Sequence, residues 1–181
     1  MRSGFLSVRH SLMIVLFGLI SLCCISEISA ETGRVVLHLK GVSCPFCVYG
    51  VEKRLKKVPG IQEVKTDYKA ATSTVSKNPK AAIDLQALEE AVRQAGFTMD
   101  RIDLSMRGSP TVWEGKPALK DPESGQVFLL VEPDKDHVHE LLDPKKWSEI
   151  QRETNVEVQG EAHPHVGSPP AIAVRKYKRM P

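Results

Sequence analysis

Hydrophobic and polar positions alternate along "RVVLHLKG", with Val35, Leu37 and Leu39 on one face, and this two-residue period predicts a strand. The period then lengthens. In "CPFCVYGVEKRLKKV" the positions Cys47, Val48, Val51, Leu55 and Val58 recur at helical spacing. Pro45 suits the start of that helix, where its missing N–H is not needed, and Pro59-Gly60 stops it. "IQEVKTDY" and "ATSTVSK" read as two strands of a hairpin turning at Lys69 and Ala70. "DLQALEEAVRQAG" predicts a second helix, with Asp84 as N-cap, Leu85, Leu88 and Val92 on one stripe, and Gly96 as its stop. "FTMDRIDL" closes the series as a strand. The sum, βαββαβ, is the ferredoxin-like arrangement of the α+β class.

After Leu104 the patterning shortens. "SMRGSP" reads as a linker or the entry to a new unit, and "TVWEG", "PALKD", "GQVFLLVEP", "NVEVQGEAH" and "AIAVRKY" are short strand-like runs bounded by Gly, Pro and Asp turns. One helical interlude, "DHVHELLDPKKWSEI", interrupts them, and "EAHPHVGSPP" reads as an exposed loop. Short strands with one helix resemble a small, mostly-β barrel of the five-stranded Greek-key OB type. The expected organisation is therefore residues 31–105 as one domain and 106–181 as an OB-like domain.

The first thirty residues follow another rule. Arg2, Arg9 and His10 precede the apolar run "SLMIVLFGLISLCCI", and "SEISA" ends in the small residue Ala30. That order is a secretory signal peptide over residues 1–30, and the run is short for a spanning helix. It predicts a periplasmic or otherwise exported protein that meets a membrane only through this segment. Cleavage would remove Cys23 and Cys24, leaving Cys44 and Cys47, so no disulfide-rich scaffold is expected. The whole chain carries a formal +3 and loses Arg2, Arg9 and Glu27 with the segment, leaving about +2, too little to argue for nucleic acid.

The chemistry concentrates in "GVSCPFC". A C-x-x-C pair serves either as a redox disulfide or as two metal-binding thiolates, and a helix N-terminus favours the thiolate both need. Spacing alone leaves the two open. "CPFC" resembles the active-site pair of glutaredoxin-like enzymes, but that family also needs a cis-proline facing the pair, and neither Pro79 nor Pro110 sits where it would be needed. The stretch Gly41-Val42-Ser43-Cys44-Pro45-Phe46-Cys47, continued by "VYGVEKRLKKVPGIQEV" and "AVRQAGFTMDRI", resembles the heavy-metal-associated domain of copper chaperones, metal-transporting P-type ATPases and the periplasmic mercuric-ion binding protein. The resemblance covers about residues 33–104. It implies Cys44 and Cys47 as ligands of a soft ion, Cu(I) in first place and Hg(II) in second, handed to or taken from a metal transporter or metalloprotein. It also implies that Phe97 lies near the thiolates. The family pattern has Met where this chain has Val42, a core position, while Pro45 and Phe46 are bulkier than its usual residues. Two thiolates suit near-linear soft ions, whereas Ca²⁺ and Mg²⁺ want oxygen and Zn²⁺ wants four ligands.

His137, His139, His163 and His165 form two H-x-H pairs that could hold a second ion, although they read more simply as surface histidines. His38 alternates away from Leu37 and Leu39 and reads as solvent-facing. Trp113 and Trp147 read as core of the second domain, and "EKRLKK" as a solvated helix face. No Ser-His-Asp set, phosphate loop or paired-carboxylate site is present, so neither hydrolase nor kinase activity is expected, and the protein reads as a carrier rather than an enzyme.

Overall fold

A computed structural model describes residues 33–133, 140–164 and 169–180. The chain divides into two units, Met1–Ala30 and Glu31–Pro181. The export segment expected over residues 1–30 lies outside the described residues, and every element named below belongs to the second unit.

Eight strands and three helices are described: β1 (Arg34–Lys40), α1 (Pro45–Leu55), β2 (Ile61–Asp67), β3 (Thr72–Lys77), α2 (Leu85–Gln94), β4 (Thr98–Trp113), β5 (Lys116–Lys120), β6 (Val127–Val131), α3 (Pro144–Ile150), β7 (Val156–His163) and β8 (Ala171–Arg179). The first four strands lie side by side in the order β2-β3-β1-β4, all antiparallel, which is the ferredoxin-like sheet. Alternation does what the sequence promised: Val35, Leu37 and Leu39 are all buried. They meet Val51 and Leu55 of α1 and Leu88 and Val92 of α2 in one apolar core. Asp84 caps α2 by accepting the Ala87 N–H at 2.9 Å.

The remaining strands form a ring. β4 pairs with β5, β5 with β6, β6 with β8 in parallel, β8 with β7, and β7 returns to β4. β4 belongs to both systems. Along Asp103–Ser105 it pairs with β1 on one edge and β7 on the other. The segment expected to be a linker, "SMRGSP", is mid-strand. Its polar, Gly- and Pro-containing composition hides the alternation of Ile102, Leu104, Met106 and Gly108, all of which face the core. The expected boundary between residues 105 and 106 thus falls inside a continuous strand.

Glycine permits the closure at two points. A side-chain carbon on Gly108 would stand 2.6 Å from the Lys120 carbonyl oxygen, and one on Gly160 would stand 2.0 Å from that of Ala173. Both neighbours are backbone and cannot swing aside. Gly160→Ala is therefore expected to cost at least the roughly 1–3 kcal/mol of an overpacked core, read as a lower urea midpoint with an unchanged slope.

Three further expectations are corrected. Of the helix expected from Asp136 onward, residues 136–139 lie outside the described residues; residues 140–143 are not helical and α3 starts at Pro144, because Asp143 caps it through the Lys145 and Lys146 amides and Leu141 bridges to Val131. Glu161–His163, shared by the strand-like run "NVEVQGEAH" and the loop reading "EAHPHVGSPP", belong to the strand β7. Trp113, read as core, is 41% exposed at the end of β4, whereas Trp147 does pack against the core. Trp113 lies seven residues from Met106, an odd step, so the two-residue period that buries Met106 turns the Trp113 ring to the opposite face of β4.

A buried ion pair ties the two systems together. Lys77 at the end of β3 donates to Asp121 after β5 at 2.9 Å, with side chains only 2% and 1% exposed. Lys77 also donates to the Pro79 carbonyl. Asp121 accepts from the Ser124 hydroxyl and the Glu123 N–H. Nearby, the Gln126 amide accepts the Ile83 N–H and donates to the Ile83 carbonyl. If residues 31–105 form an independent domain, a fragment of that length unfolds cooperatively. Loss of β7 and of the Asp121 partner leads us to expect a lower denaturant midpoint than for the full chain, and a broad transition would assign core completion to the barrel.

Candidate metal centre

The loop after β1 places the cysteines. Lys40 ends β1 and pairs with Asp100 of β4, holding that exposed carboxyl below its ordinary value by a hydrogen bond and by its charge. Gly41 then takes a φ of +89°, a left-handed turn that glycine allows without strain. Val42 is 5% exposed, so Val fills the core position expected of it. Cys44 is the N-cap of α1, with Pro45 in the first turn. The Cys44 sulfur accepts the Cys47 N–H at 3.2 Å, and the Cys44 carbonyl accepts the same N–H at 3.0 Å.

The structure brings the two predicted residues together: Cys44 and Cys47 form a disulfide, with Cα atoms 5.3 Å apart. Cys47 is half-buried against the core, and Cys44 is half-exposed on the loop. As thiols, they would present two sulfurs at one helix start, a donor set that suits a soft, two-coordinate ion. Both functions left open by spacing need this arrangement, since an attacking or ligating sulfur must be a thiolate and the helix end favours one.

Phe97 sits beneath the loop. Its N–H reaches the Val92 carbonyl, its ring is half-buried against the core, and it lies 3.7 Å from where a Gly41 side-chain carbon would be. Among the other candidates, His38 is partly covered rather than solvent-facing, and its ring bonds the Asp103 carboxylate at 2.8 Å. Burial would raise the Asp103 carboxyl, but His38, Arg175 and Arg101 outweigh it and hold it low. His137, His139 and His165 lie outside the described residues, and His163 ends β7. Among the described residues, no group of three or more His, Cys, Asp or Glu is placed to hold a metal ion.

Sequence reasoning missed two features. Phe46 and Tyr49 are among the most exposed large hydrophobics described, at 90% and 69%. Reading Val48, Val51 and Leu55 as the buried stripe would have placed them on the outer face. Lys77 and Asp121 gave no signal, because a lysine at a strand end and an aspartate at a turn are ordinary surface residues.

Residues 36–98 match the model of the heavy-metal-associated domain. The copper-transporting ATPase 2 of Rhizobium meliloti is 43% identical over 63 residues, 35% of this chain and 8% of that protein. The copper-exporting P-type ATPase of Mycobacterium tuberculosis is 37% identical over 74 residues, 41% of this chain and 9% of that protein. An uncharacterized protein of Haemophilus influenzae is 31% identical over 86 residues, 47% of this chain and 91% of that protein. The chain belongs to the heavy-metal-associated family through its ferredoxin-like half. It spans less than a tenth of the length of either ATPase.

Proposed function

We propose that the protein is an exported, non-enzymatic carrier that holds a thiophilic ion between Cys44 and Cys47 for transport, sequestration or hand-off. The observation that carries this reading is the pair of sulfurs at the exposed start of α1 within a heavy-metal-associated domain. Cu(I) is the proposed ion and Hg(II) the second. The two matched ATPases are copper transporters by name, which favours copper. The proposed partner is a metal transporter or metalloprotein, not a nucleic acid. Residues 106–181 are proposed to act as an OB-like domain, since β5 to β8 close a ring with β4, which starts before residue 106, and the parallel β6–β8 pair agrees with that reading.

Ion capture needs the reduced pair. A dithiol reductant supplies two electrons and two protons to the Cys44–Cys47 disulfide, giving two thiols, and the ion displaces their protons as it binds. The disulfide itself favours the second reading, a thiol–disulfide oxidoreductase using "CPFC".

The two readings separate by turnover. The reduced full chain is expected to bind one Cu(I), and that ion is expected to shield both cysteines from alkylation. Insulin reduction is expected at no more than the rate of a simple dithiol at equal concentration. Enzyme-like turnover without metal shielding would promote the oxidoreductase instead.

A further inference from the structure

We infer that the outer face of the sheet carries a groove for a small dicarboxylate with an apolar body, held between Arg34 and Lys176. This site is separate from the cysteine pair and independent of the metal reading. Val35 and Leu37 turn towards α1 and α2, so Arg34 and Val36 of the same strand face the other way. There they line a cavity of about 300 Å³ together with Ser105 of β4, Gln159 of β7, and Arg175 and Lys176 of β8. That volume lies at the lower end of the roughly 300–1,000 Å³ of small-molecule sites. A second cavity of about 400 Å³ shares Arg34, Val36, Ser105 and Gln159 and runs on to Arg107 and Glu157, so the two form one groove.

A break in the ladder between β7 and β8 points to the same place. Gln159 pairs with Lys176 but Gly160 pairs with Val174, so Arg175 is an extra residue on β8. Regular alternation would send Arg175 and Lys176 to opposite faces, whereas across this bulge both line the cavity. Their roles differ. Arg175 is clamped, donating to Asp103 at 2.9 Å and to Glu161 at 2.6 Å. Lys176 has no partner among the described residues, and neither has Arg34.

Charge and backbone select the ligand. Asp103 is engaged by His38 and Arg175, and Glu157 by Ser105, Gln159 and Arg107. Those carboxylates are matched, which leaves the charges of Arg34 and Lys176 for two anionic groups of a ligand. A guanidinium receives a carboxylate through two parallel hydrogen bonds, and an ammonium receives the other as a point charge. Val36, with Leu104 and Gly160 beside it, gives the lining its apolar part. An added peptide strand would find no free edge here, because β1, β4 and β7 are each paired on both sides. A nucleic-acid backbone would run against Asp103 and Glu157 in the same groove.

The test titrates isophthalate into the isotope-labelled full chain with its disulfide intact, read by amide chemical shifts. Saturable shifts confined to the strands around Val36, Ser105, Gln159 and Lys176 are expected. Benzoate, with one charge, should bind about 10-fold more weakly, and neutral isophthalamide should cause no shifts. Arg34→Gln/Lys176→Gln is expected to weaken isophthalate binding by about 10-fold or more. Lys65→Gln/Lys69→Gln removes the same charge from β2 and its turn and should leave binding unchanged. Val36→Glu, which sets a carboxylate in the groove, should abolish it. Absent or surface-wide shifts overturn the proposal, as does equal weakening by the two double variants. So does tighter binding of inorganic phosphate or of a glutamate peptide at the same residues.

Discussion

Cys44→Ser is expected to lower Cu(I) affinity by more than the roughly 10–100-fold that loss of a supporting outer-shell group costs, because it removes a ligand outright. A hydroxyl is a hard, weakly acidic donor, and a soft ion held by one remaining sulfur loses the linear geometry that two would supply. The substitution isolates the ligand role. Cys44 is the N-cap of α1 and its sulfur accepts the Cys47 N–H. Serine is among the best N-caps, so the helix start is expected to persist and the unfolding midpoint to move little. Cys47→Ser should cost comparable affinity with some added destabilisation, since Cys47 packs against the core. Chelator competition on the reduced variants measures the first quantity and urea unfolding the second. Wild-type affinity in the double serine variant would move the site away from these cysteines.

The second large effect is at the buried ion pair. Asp121→Ala is expected to destabilise the fold by about 3–5 kcal/mol, because it leaves Lys77 charged and unpaired at a site that excludes water. Lys77→Met with Asp121→Leu should recover most of this loss, since a well-packed apolar pair avoids the desolvation that the ions suffer. Acidity should echo the single variant. Burial pushes the Asp121 carboxyl up, but the Ser124 hydroxyl, Lys77 and the Glu123 amide outweigh burial and hold it below the ordinary aspartate value. A carboxyl lowered on folding contributes stability that is fully present above that ordinary value and lost as pH falls through the lowered one. The wild type should therefore lose stability on acidification more steeply than the double variant. Parallel pH profiles would show that the pair does not couple to folding.

How much was legible depended on whether the signal was local. β1, both helices of the first half and the β2–β3 hairpin were readable because period, caps and stops act within a few residues: Val35 to Leu39 alternate, Asp84 caps, and Pro59-Gly60 terminate. The helix start at "GVSCPFC" was legible for the same reason, since a cap, a proline and two cysteines within one turn bring both sulfurs together there. The start of α3 was misread because Leu141 is held by Val131, ten residues away in the chain, which no local pattern reveals.

Local patterning was thus enough for the ferredoxin-like order, the two sulfurs and their helix. Three outcomes needed the assembled chain: "SMRGSP" continues β4 into a second strand system, Gly108 and Gly160 admit backbone where a side chain would collide, and Lys77 meets Asp121. Each arises between segments far apart in the chain. Their energies come from burial and close approach, which exist only once both partners are in place.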